Sequence, residues 1–256
     1  MSARQSSSVF ELYAHEYDLI TNAAEREHYH QKEVDELIAR FRPDRVLDAG
    51  CASGLTAMLF ARRGVAAVGL DKSRRMIEVA RDKFKLVDLP LEFCRGEFER
   101  LPKKMHRSFD LVVCLANSVS GVAGRVALRR TLKNFRAALA PGGHLVVQML
   151  NYAAVKEGRL FPIRATENNG IVYQRFSERR GRRMFVYVTR LDLNEKPPRY
   201  EIFRHEFDNY DVDIMNGLYS QSGFIDVRKF SDLYLRKRFS RRTSRDLVII
   251  GRRPAH

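Results

Sequence analysis

Two carboxylates and a run of small residues stand out in the first third of the chain. Asp48 is followed by Gly50, Ala52 and Gly54 at alternate positions, and Asp71 ends the next apolar segment. A turn of small residues lets a ligand approach the backbone closely, because no bulky side chain blocks it. A carboxylate at the end of the following strand can accept hydrogen bonds from two ribose hydroxyls. This arrangement is typical of nucleoside binding at the carboxyl edge of a doubly wound sheet.

Other interpretations of the same residues stay open. The small residues could form a tight strand-to-helix turn without a ligand, and Asp71 could cap the helix that starts near Ser73. A dinucleotide site would have the spacing Gly-x-Gly-x-x-Gly, with a helix N-terminus free for pyrophosphate. The spacing Gly50-x-Ala52-x-Gly54 instead suits a ligand without phosphates, which makes an NAD-dependent reductase the less favoured interpretation.

The elements that must position these residues alternate strand and helix, which predicts an α/β fold. Predicted strands cover 46–49, 66–71, 91–95, 109–115, 144–150, 224–230 and 246–252. Predicted helices cover 10–21, 26–41, 55–63, 73–85, 125–139 and 212–222. The order indicates a doubly wound, mostly parallel sheet with right-handed crossovers. Apolar and polar residues alternate in 170–176, 183–193 and 200–207, which predicts a three-stranded antiparallel meander inserted after the fifth strand, within 152–211.

Composition and cysteine usage limit the class of protein. The 256 residues are 45% hydrophobic, which is enough for a core, and we expect one domain over 1–256. No apolar run approaches the roughly 20 residues that span a bilayer, and residues 1–8 lack an apolar signal core. The three cysteines show no metal-ligand spacing, so we expect reduced core thiols, no metal site and a cytoplasmic location.

The net charge of +15 is the second notable property of the sequence. Basic residues concentrate in 179–183 and in 236–245. Such a field attracts polyanions, including nucleic acid, or acidic small substrates. The alternative is a solvated basic surface, or a compositional bias of the source organism.

The small-residue turn resembles the first motif of the class I S-adenosylmethionine-dependent methyltransferases. That motif is an apolar pair, Asp or Glu, a small residue and then Gly-x-Gly-x-Gly. Asp48, Gly50 and Gly54 match it, and Ala52 adds one methyl group at the middle glycine. The resemblance implies a seven-stranded sheet whose last strand lies antiparallel beside the fifth.

The same resemblance implies which residues hold the cofactor, S-adenosylmethionine. Asp71 would bind the ribose hydroxyls, Glu97 the adenine amino group, and Asp48 the methionine amino group, directly or through water. The implied site comprises Tyr13, Tyr17, Arg26, Tyr29, Asp48, Gly50, Ala52, Gly54, Asp71, Lys72, Met76, Glu97, Phe98 and Leu115.

Three segments are similar to the glycine and sarcosine N-methyltransferase group. They are the Tyr13-x-x-x-Tyr17 helix, the Leu115-x-Asn117-Ser118 sequence and the run 147–152. The resemblance implies a helical lid over 1–42, in which Arg26 pairs with the methionine carboxylate; an ordinary amphipathic helix is the alternative. Asn117 would face the transferred methyl group and is the catalytic candidate. Candidate acceptor-pocket residues are Asn117, Asn151 and Tyr152, and more weakly Arg164, Tyr173, Arg175 and His205.

Methyl transfer requires mainly proximity and orientation, so it needs no signature catalytic residue. The leading hypothesis is transfer to a nitrogen or oxygen of a small molecule, because a meander can enclose a pocket. An RNA methyltransferase, most plausibly acting on tRNA and docking through the arginine clusters, is the alternative. A non-catalytic cofactor-binding protein is a further one. The acceptor and the oligomeric state stay open.

Overall fold

The computed structural model describes residues 9–181 and 183–255, which form two β-sheets with helices around the larger one. Expectations that concern residues 1–8 or Arg182 lie outside this part of the chain. The strands are β1 (Arg45–Ala49), β2 (Ala66–Asp71), β3 (Leu91–Arg95), β4 (Phe109–Cys114), β5 (Leu139–Leu150), β6 (Leu160–Asn168), β7 (Ile171–Arg180), β8 (Arg183–Asp192), β9 (Arg199–Asp208), β10 (Ile225–Phe230) and β11 (Asp246–Arg252).

The larger sheet has seven strands in the order β10-β11-β5-β4-β1-β2-β3. Strands β1 to β5 run parallel to one another, whereas β11 pairs antiparallel with both β5 and β10. The predicted fold class is therefore confirmed, including the antiparallel last strand beside the fifth. The parallel strands end together at one edge, which brings Asp48 of β1 and Asp71 of β2 to the same place.

Seven α-helices are assigned in the described residues. They are α1 (Val9–Leu12), α2 (Tyr17–Thr21), α3 (Ala23–Phe41), α4 (Leu55–Ala61), α5 (Arg74–Phe84), α6 (Gly124–Ala138) and α7 (Val212–Gln221). The single helix predicted over 10–21 is wrong, because a 3₁₀ turn at 14–16 separates α1 from α2. Tyr13 has non-helical dihedral angles there, φ −118° and ψ 42°.

Both faces of the larger sheet are buried, as expected for a parallel sheet between helices. On one face Leu47 and Val112 pack with Phe135 of α6. On the other face Val46 and Leu111 pack with helices α3, α4 and α5. No helix in the described ranges is long and apolar enough to cross a membrane.

The insert after β5 is an antiparallel sheet of four strands, β6-β7-β8-β9, not the predicted three. The additional strand is β6, at the edge of the meander. The sequence carries no period-two signal for this strand, because its exposed residues do not alternate with buried ones. The neighbours Leu160 and Phe161, for example, are both exposed. Val9 and Ile20 of the N-terminal helices pack against the meander residues Val188 and Phe203.

Candidate functional site

The turn after β1 is hydrogen-bonded to the end of β2. The backbone N–H groups of Gly50 and Cys51 both donate to the carbonyl oxygen of Leu70, at 2.7 and 3.1 Å. Gly50 has φ +88°, and a Cβ atom there would lie 2.7 Å from the Cβ of Ser118. Ala52 is also left-handed, with φ 47°, although this conformation costs a residue with a Cβ about 1–2 kcal/mol. The motif's backbone is therefore kept despite the missing glycine.

Asp71 ties this turn to the start of α5. One carboxylate oxygen accepts the Ala52 N–H at 3.1 Å and the other accepts the Ser73 N–H at 2.9 Å. Ser73 itself is the N-cap of α5, because its hydroxyl accepts the Met76 N–H. A carboxylate has about four acceptor positions, so each oxygen of Asp71 keeps one for a ribose hydroxyl. The helix-start and ribose-binding interpretations are thus compatible.

Asp48 is the most unusual polar residue of the site. Its side chain is buried, at 2% exposure, and its Oδ2 has no hydrogen-bond partner within the described chain. Burial raises the pKa of Asp48 to about 7, and the nearby Asp71 acts in the same direction; the Ala57 N–H and Arg26 oppose it. A buried acceptor without a partner fits the ammonium group of a methionine moiety.

Arg26 lies near this carboxylate, and Arg175 lies near Arg26. Within the described residues neither Arg26 nor Arg175 forms an ion pair, and the Nε of Arg175 is buried without an acceptor. Burial, with the charges of Arg26 and Arg164 close by, lowers the pKa of Arg175. Arg26 is also close enough to Asp48 to stabilise its ionised form. Arg26 therefore provides positive charge for a carboxylate near the free oxygen of Asp48.

The N-terminal helices dock directly on the turn and on α5. Asp18 of α2 accepts a hydrogen bond from the hydroxyl of Ser53 at 2.6 Å and forms an ion pair with Lys83 of α5 at 2.6 Å. Glu11 of α1 accepts from the hydroxyl of Ser73, and its carbonyl accepts from Arg75 at 3.0 Å. This segment therefore covers the residues that Asp71 holds in place.

Arg190 of β8, which the sequence analysis did not single out, joins these helices to the meander. Its guanidinium is 3.1 Å from the carboxylates of Glu16 and Asp192 and lies 4.6 Å above the ring of Tyr13. Its Nε donates to the hydroxyl of Tyr173 at 3.1 Å. One signal was available: Arg190 has the same strand phase as the buried Met184, Val186 and Val188. An arginine on the buried phase of a strand predicts a charge network.

The tyrosines assigned to the lid lie in different surroundings. Tyr13 donates its hydroxyl hydrogen to Glu201 of β9, so its polar group faces the meander. Tyr17 packs edge-on against Phe10, with 5.6 Å between the ring centres. Tyr29 is 53% exposed and contacts His28. Among the predicted lid residues, Arg26 is the one whose charge acts on Asp48.

Asn117, the catalytic candidate, is committed to other protein groups. Its amide nitrogen donates to the hydroxyl of Tyr152 at 2.5 Å, and its oxygen accepts from the Ser120 hydroxyl and the Leu150 N–H. Asn117 and Ala116 are both left-handed, with φ 69° and 50°. Asn117 therefore holds the end of β4 against the end of β5. The direct catalytic role of Asn117 stays a prediction, and these contacts show that the side chain also joins the two strand ends.

The remaining cofactor candidates differ in exposure. Met76 is 2% exposed and belongs to the core, whereas Lys72 and Glu97 are exposed at the ends of β2 and β3. The half-buried Phe98 ring approaches the Cα of Gly50, and the carbonyl of Leu115 accepts the Ser118 N–H at 3.1 Å.

Most of the acceptor-pocket candidates are likewise already paired. Asn151 donates to the carbonyls of Arg241 and Ser244, Tyr173 donates to Glu16, and Arg164 pairs with Glu25. His205 differs, because its Nε2 is buried without a partner and its ring stacks on Phe10 at 5.1 Å. Burial and the charges of Arg175 and Lys72 lower its pKa. Arg175 and His205 therefore keep polar atoms available to a ligand.

The chain is similar in sequence to known methyltransferases. Residues 46–143 match the family model described as a methyltransferase domain. Ubiquinone biosynthesis O-methyltransferase from Coxiella burnetii is 31% identical over 106 residues, 41% of this chain and 43% of that protein. Glycine/sarcosine N-methyltransferase from Halorhodospira halochloris is 27% identical over 111 residues, 43% and 41% of the two chains. The match spans less than half the length of each relative.

Solved structures share the fold over nearly the whole chain. An S-adenosylmethionine-dependent methyltransferase from Clostridium acetobutylicum aligns with a TM-score of 0.76 at 16% identity, covering 96% of this chain and 100% of that one. The S-adenosylmethionine-bound CalS10, an amino pentose methyltransferase from Micromonospora echinaspora, aligns with a TM-score of 0.68 at 19% identity, covering 98% and 100%. The sequence match over residues 46–143 and the shared fold agree with the resemblance of the first motif: this part of the chain is similar to methyltransferase domains, and the chain has the fold of S-adenosylmethionine-dependent methyltransferases.

Proposed function

We propose that this chain transfers a methyl group from S-adenosylmethionine to a nitrogen or oxygen of a small-molecule acceptor. The observation that carries the proposal is the free, buried oxygen of Asp48 beside the small-residue turn that Asp71 holds in shape. A buried carboxylate oxygen without a partner costs folding free energy, so it indicates a ligand that completes it.

Each residue of the site binds a different group of the cofactor. Asp71 binds the ribose hydroxyls with its remaining acceptor positions, Asp48 accepts from the methionine amino group, and Arg26 pairs with the methionine carboxylate. Bound S-adenosylmethionine would supply a methyl group that its sulfonium charge activates for in-line displacement by the acceptor. The protein contributes orientation and exclusion of water, since the N-terminal helices cover the turn through Asp18 and Glu11.

The space between the N-terminal helices and the meander is where we place the acceptor. Arg175 of β7 and His205 of β9 each keep a buried nitrogen without a partner among the described residues, so we assign them to acceptor contacts. Small acceptors agree with the names of the similar proteins, which refer to ubiquinone, to glycine and sarcosine, and to an amino pentose. The low pKa of His205 keeps its imidazole neutral near pH 7, a form that can accept a proton from the nucleophile.

Transfer of radiolabelled methyl groups from S-adenosylmethionine into a cell extract tests this proposal. The labelled extract is treated with nuclease and separated by size, with an Asp48→Ala variant as the matched control. We expect protein-dependent label in small, nuclease-resistant material. Label in large, nuclease-sensitive material would make RNA the acceptor. No label above that of the control would contradict methyl transfer altogether.

A further inference from the structure

The outward face of α6 carries only positive charge. Helix α6 has 15 residues and contains no Asp or Glu. Its buried face packs into the core through Leu128, Thr131, Leu132, Phe135 and Ala138. The opposite face presents four exposed cations, here named the basic ridge: Arg125, Arg129, Arg130 and Lys133. Among the described residues, none of these four forms an ion pair within 4.0 Å.

A second basic segment runs alongside the C-terminal half of α6. Asn134 donates to the carbonyl of Phe98 at 2.9 Å, and the Arg107 N–H donates to the carbonyl of Ala137 at 2.8 Å. Residues 100–107, which follow Glu99, contain no carboxylate themselves. Their exposed cations are Arg100, Lys103, Lys104 and Arg107. The positive surface therefore widens towards the C-terminus of the helix.

Arg253 extends the same surface at the end of α6. Its guanidinium donates to the carbonyls of Arg136, Ala137 and Leu139, at 2.9, 3.3 and 2.7 Å. Burial and the nearby Arg107 and Arg136 lower the pKa of Arg253, which shows how closely these like charges are spaced. Such crowding is unfavourable in the isolated protein and is relieved by a bound anion.

The arginine clusters at 179–183 and 236–245 differ from the basic ridge, because several of their arginines form ion pairs with carboxylates. Arg236 pairs with Glu36 and Arg241 with Asp213. Arg180 pairs with Glu178 at 2.8 Å, and Arg183 pairs with Glu206. Four cations of the arginine-rich loop stay without an ion pair among the described residues, as many as on the basic ridge; the ridge differs in that its four cations lie on the outward face of one regular helix.

We propose that the basic ridge is a docking surface for RNA. A 15-residue helix is about 22 Å long, so it can contact several successive phosphates. Three of the four ridge cations are arginines, whose planar guanidinium groups suit phosphate oxygens. RNA fits better than a membrane surface, because interfacial helices insert large apolar residues. The apolar face of α6 is buried in the core, and the large hydrophobic residue exposed on the helix is Val126.

The N-terminus of the ridge lies at the edge of the sheet that carries the cofactor site. The Gly124 N–H donates to Asp208 at the end of β9, at 2.6 Å, and the turn 118–121 connects α6 to the Asn117 region. RNA on the ridge would therefore extend towards that edge. This inference concerns binding and does not depend on which molecule accepts the methyl group.

Two variants with equal loss of charge test the ridge. One replaces Arg125, Arg129, Arg130 and Lys133 by Gln. The matched control replaces Lys237, Arg238, Arg242 and Arg245 by Gln, four loop cations that also form no ion pair with the described residues. Binding to a fluorescein-labelled single-stranded RNA of about 20 nucleotides is measured by anisotropy between about 50 and 300 mM salt. Vesicles of phosphatidylglycerol and phosphatidylcholine serve as the second probe, and S-adenosylmethionine affinity reports an intact fold.

We expect the ridge variant to bind RNA at least about tenfold more weakly than the wild type. Its slope of log affinity against log salt should fall by about 3, since each lost phosphate contact removes about 0.7. The loop variant should stay within about threefold of the wild type. Equal weakening in both variants would reduce the effect to net charge and overturn the proposal. Ridge-dependent binding of vesicles without binding of RNA would overturn it in favour of a membrane surface.

Discussion

Replacing Asp48 by Asn separates the two effects of a buried carboxylate, on stability and on cofactor binding. The substitution keeps the shape of the side chain and removes its charge. In the folded chain burial raises the pKa of Asp48 to about 7, whereas an unfolded Asp titrates near 3.9. The folded state therefore holds the proton more tightly than the unfolded state.

The sign and size of the effect on stability follow from proton linkage. Because the folded pKa is the higher one, the free energy of unfolding falls as pH rises from about 4 to about 7. A difference of about 3 pKa units corresponds to about 4 kcal/mol at most. The asparagine amide introduced by the change does not titrate. Asp48→Asn should therefore match the wild type near pH 4 and exceed it in stability by up to about 4 kcal/mol at pH 8.

Urea unfolding of both proteins without cofactor, at pH values from about 4.5 to 8.5, measures this difference. Subtracting the two curves cancels the other titrating groups, which the proteins share. Binding of S-adenosylmethionine should show the opposite preference, because the amino group needs the ionised carboxylate. A variant that is less stable than the wild type at pH 8, or a difference that does not change with pH, would refute the assignment of Asp48 as an uncompensated buried acid.

Three other substitutions test separate parts of the structure. Ala52→Gly should raise the free energy of unfolding by about 0.5–1 kcal/mol in chemical denaturation, because removal of left-handed strain of about 1–2 kcal/mol outweighs the greater entropy of unfolded glycine; a loss of stability would contradict the strain. Arg190→Met should lower the free energy of unfolding by about 1–3 kcal/mol, since the half-buried Glu16 loses its charged hydrogen-bond partner; unchanged stability would show that the network contributes little. Arg26→Gln should weaken S-adenosylmethionine binding by about 10- to 100-fold in calorimetry, the value of a charged hydrogen bond, and unchanged binding would remove Arg26 from the site.

The larger sheet could be predicted because its signals are local. Each parallel strand is a short apolar run next to a helix with its own period, and predicted bounds such as 66–71 and 91–95 coincide with β2 and β3. The start of β5 could not be predicted in this way. Pro141 and Gly142 interrupt the pattern, yet β5 begins at Leu139 and includes both. The Gly142 N–H donates to the carbonyl of Arg253, a pairing with the far end of the chain.

Parts of the candidate site could be located in the sequence, and the ligand group that each residue contacts stays a prediction. Asp48 and Asp71 are examples, because their positions at strand ends follow from the sequence. Long-range pairing decided the rest. Asn117 forms hydrogen bonds with Tyr152, Ser120 and Leu150, and the contacts of Arg190 depend on carboxylates from the N-terminal 3₁₀ turn and from β8. No local pattern contains such partners.

Asp71 and its neighbours form the binding site for S-adenosylmethionine in the function that we propose. Calorimetric titration of the cofactor into the wild type, Asp71→Asn and Asp110→Asn tests it most directly. Asp110 is a matched control, because its carboxylate also accepts two backbone N–H groups, those of Asp44 and Arg45 at 3.0 and 2.9 Å. These contacts lie at the amino ends of β1 and β4, at the opposite edge of the sheet.

Both substitutions weaken a backbone-anchoring carboxylate, so a loss of stability alone should affect them alike. We predict that the wild type binds S-adenosylmethionine, that Asp110→Asn binds it within about twofold of the wild type, and that Asp71→Asn binds it about 10- to 100-fold more weakly. Equal affinity of Asp71→Asn and the wild type, or no binding by the wild type, would contradict the account.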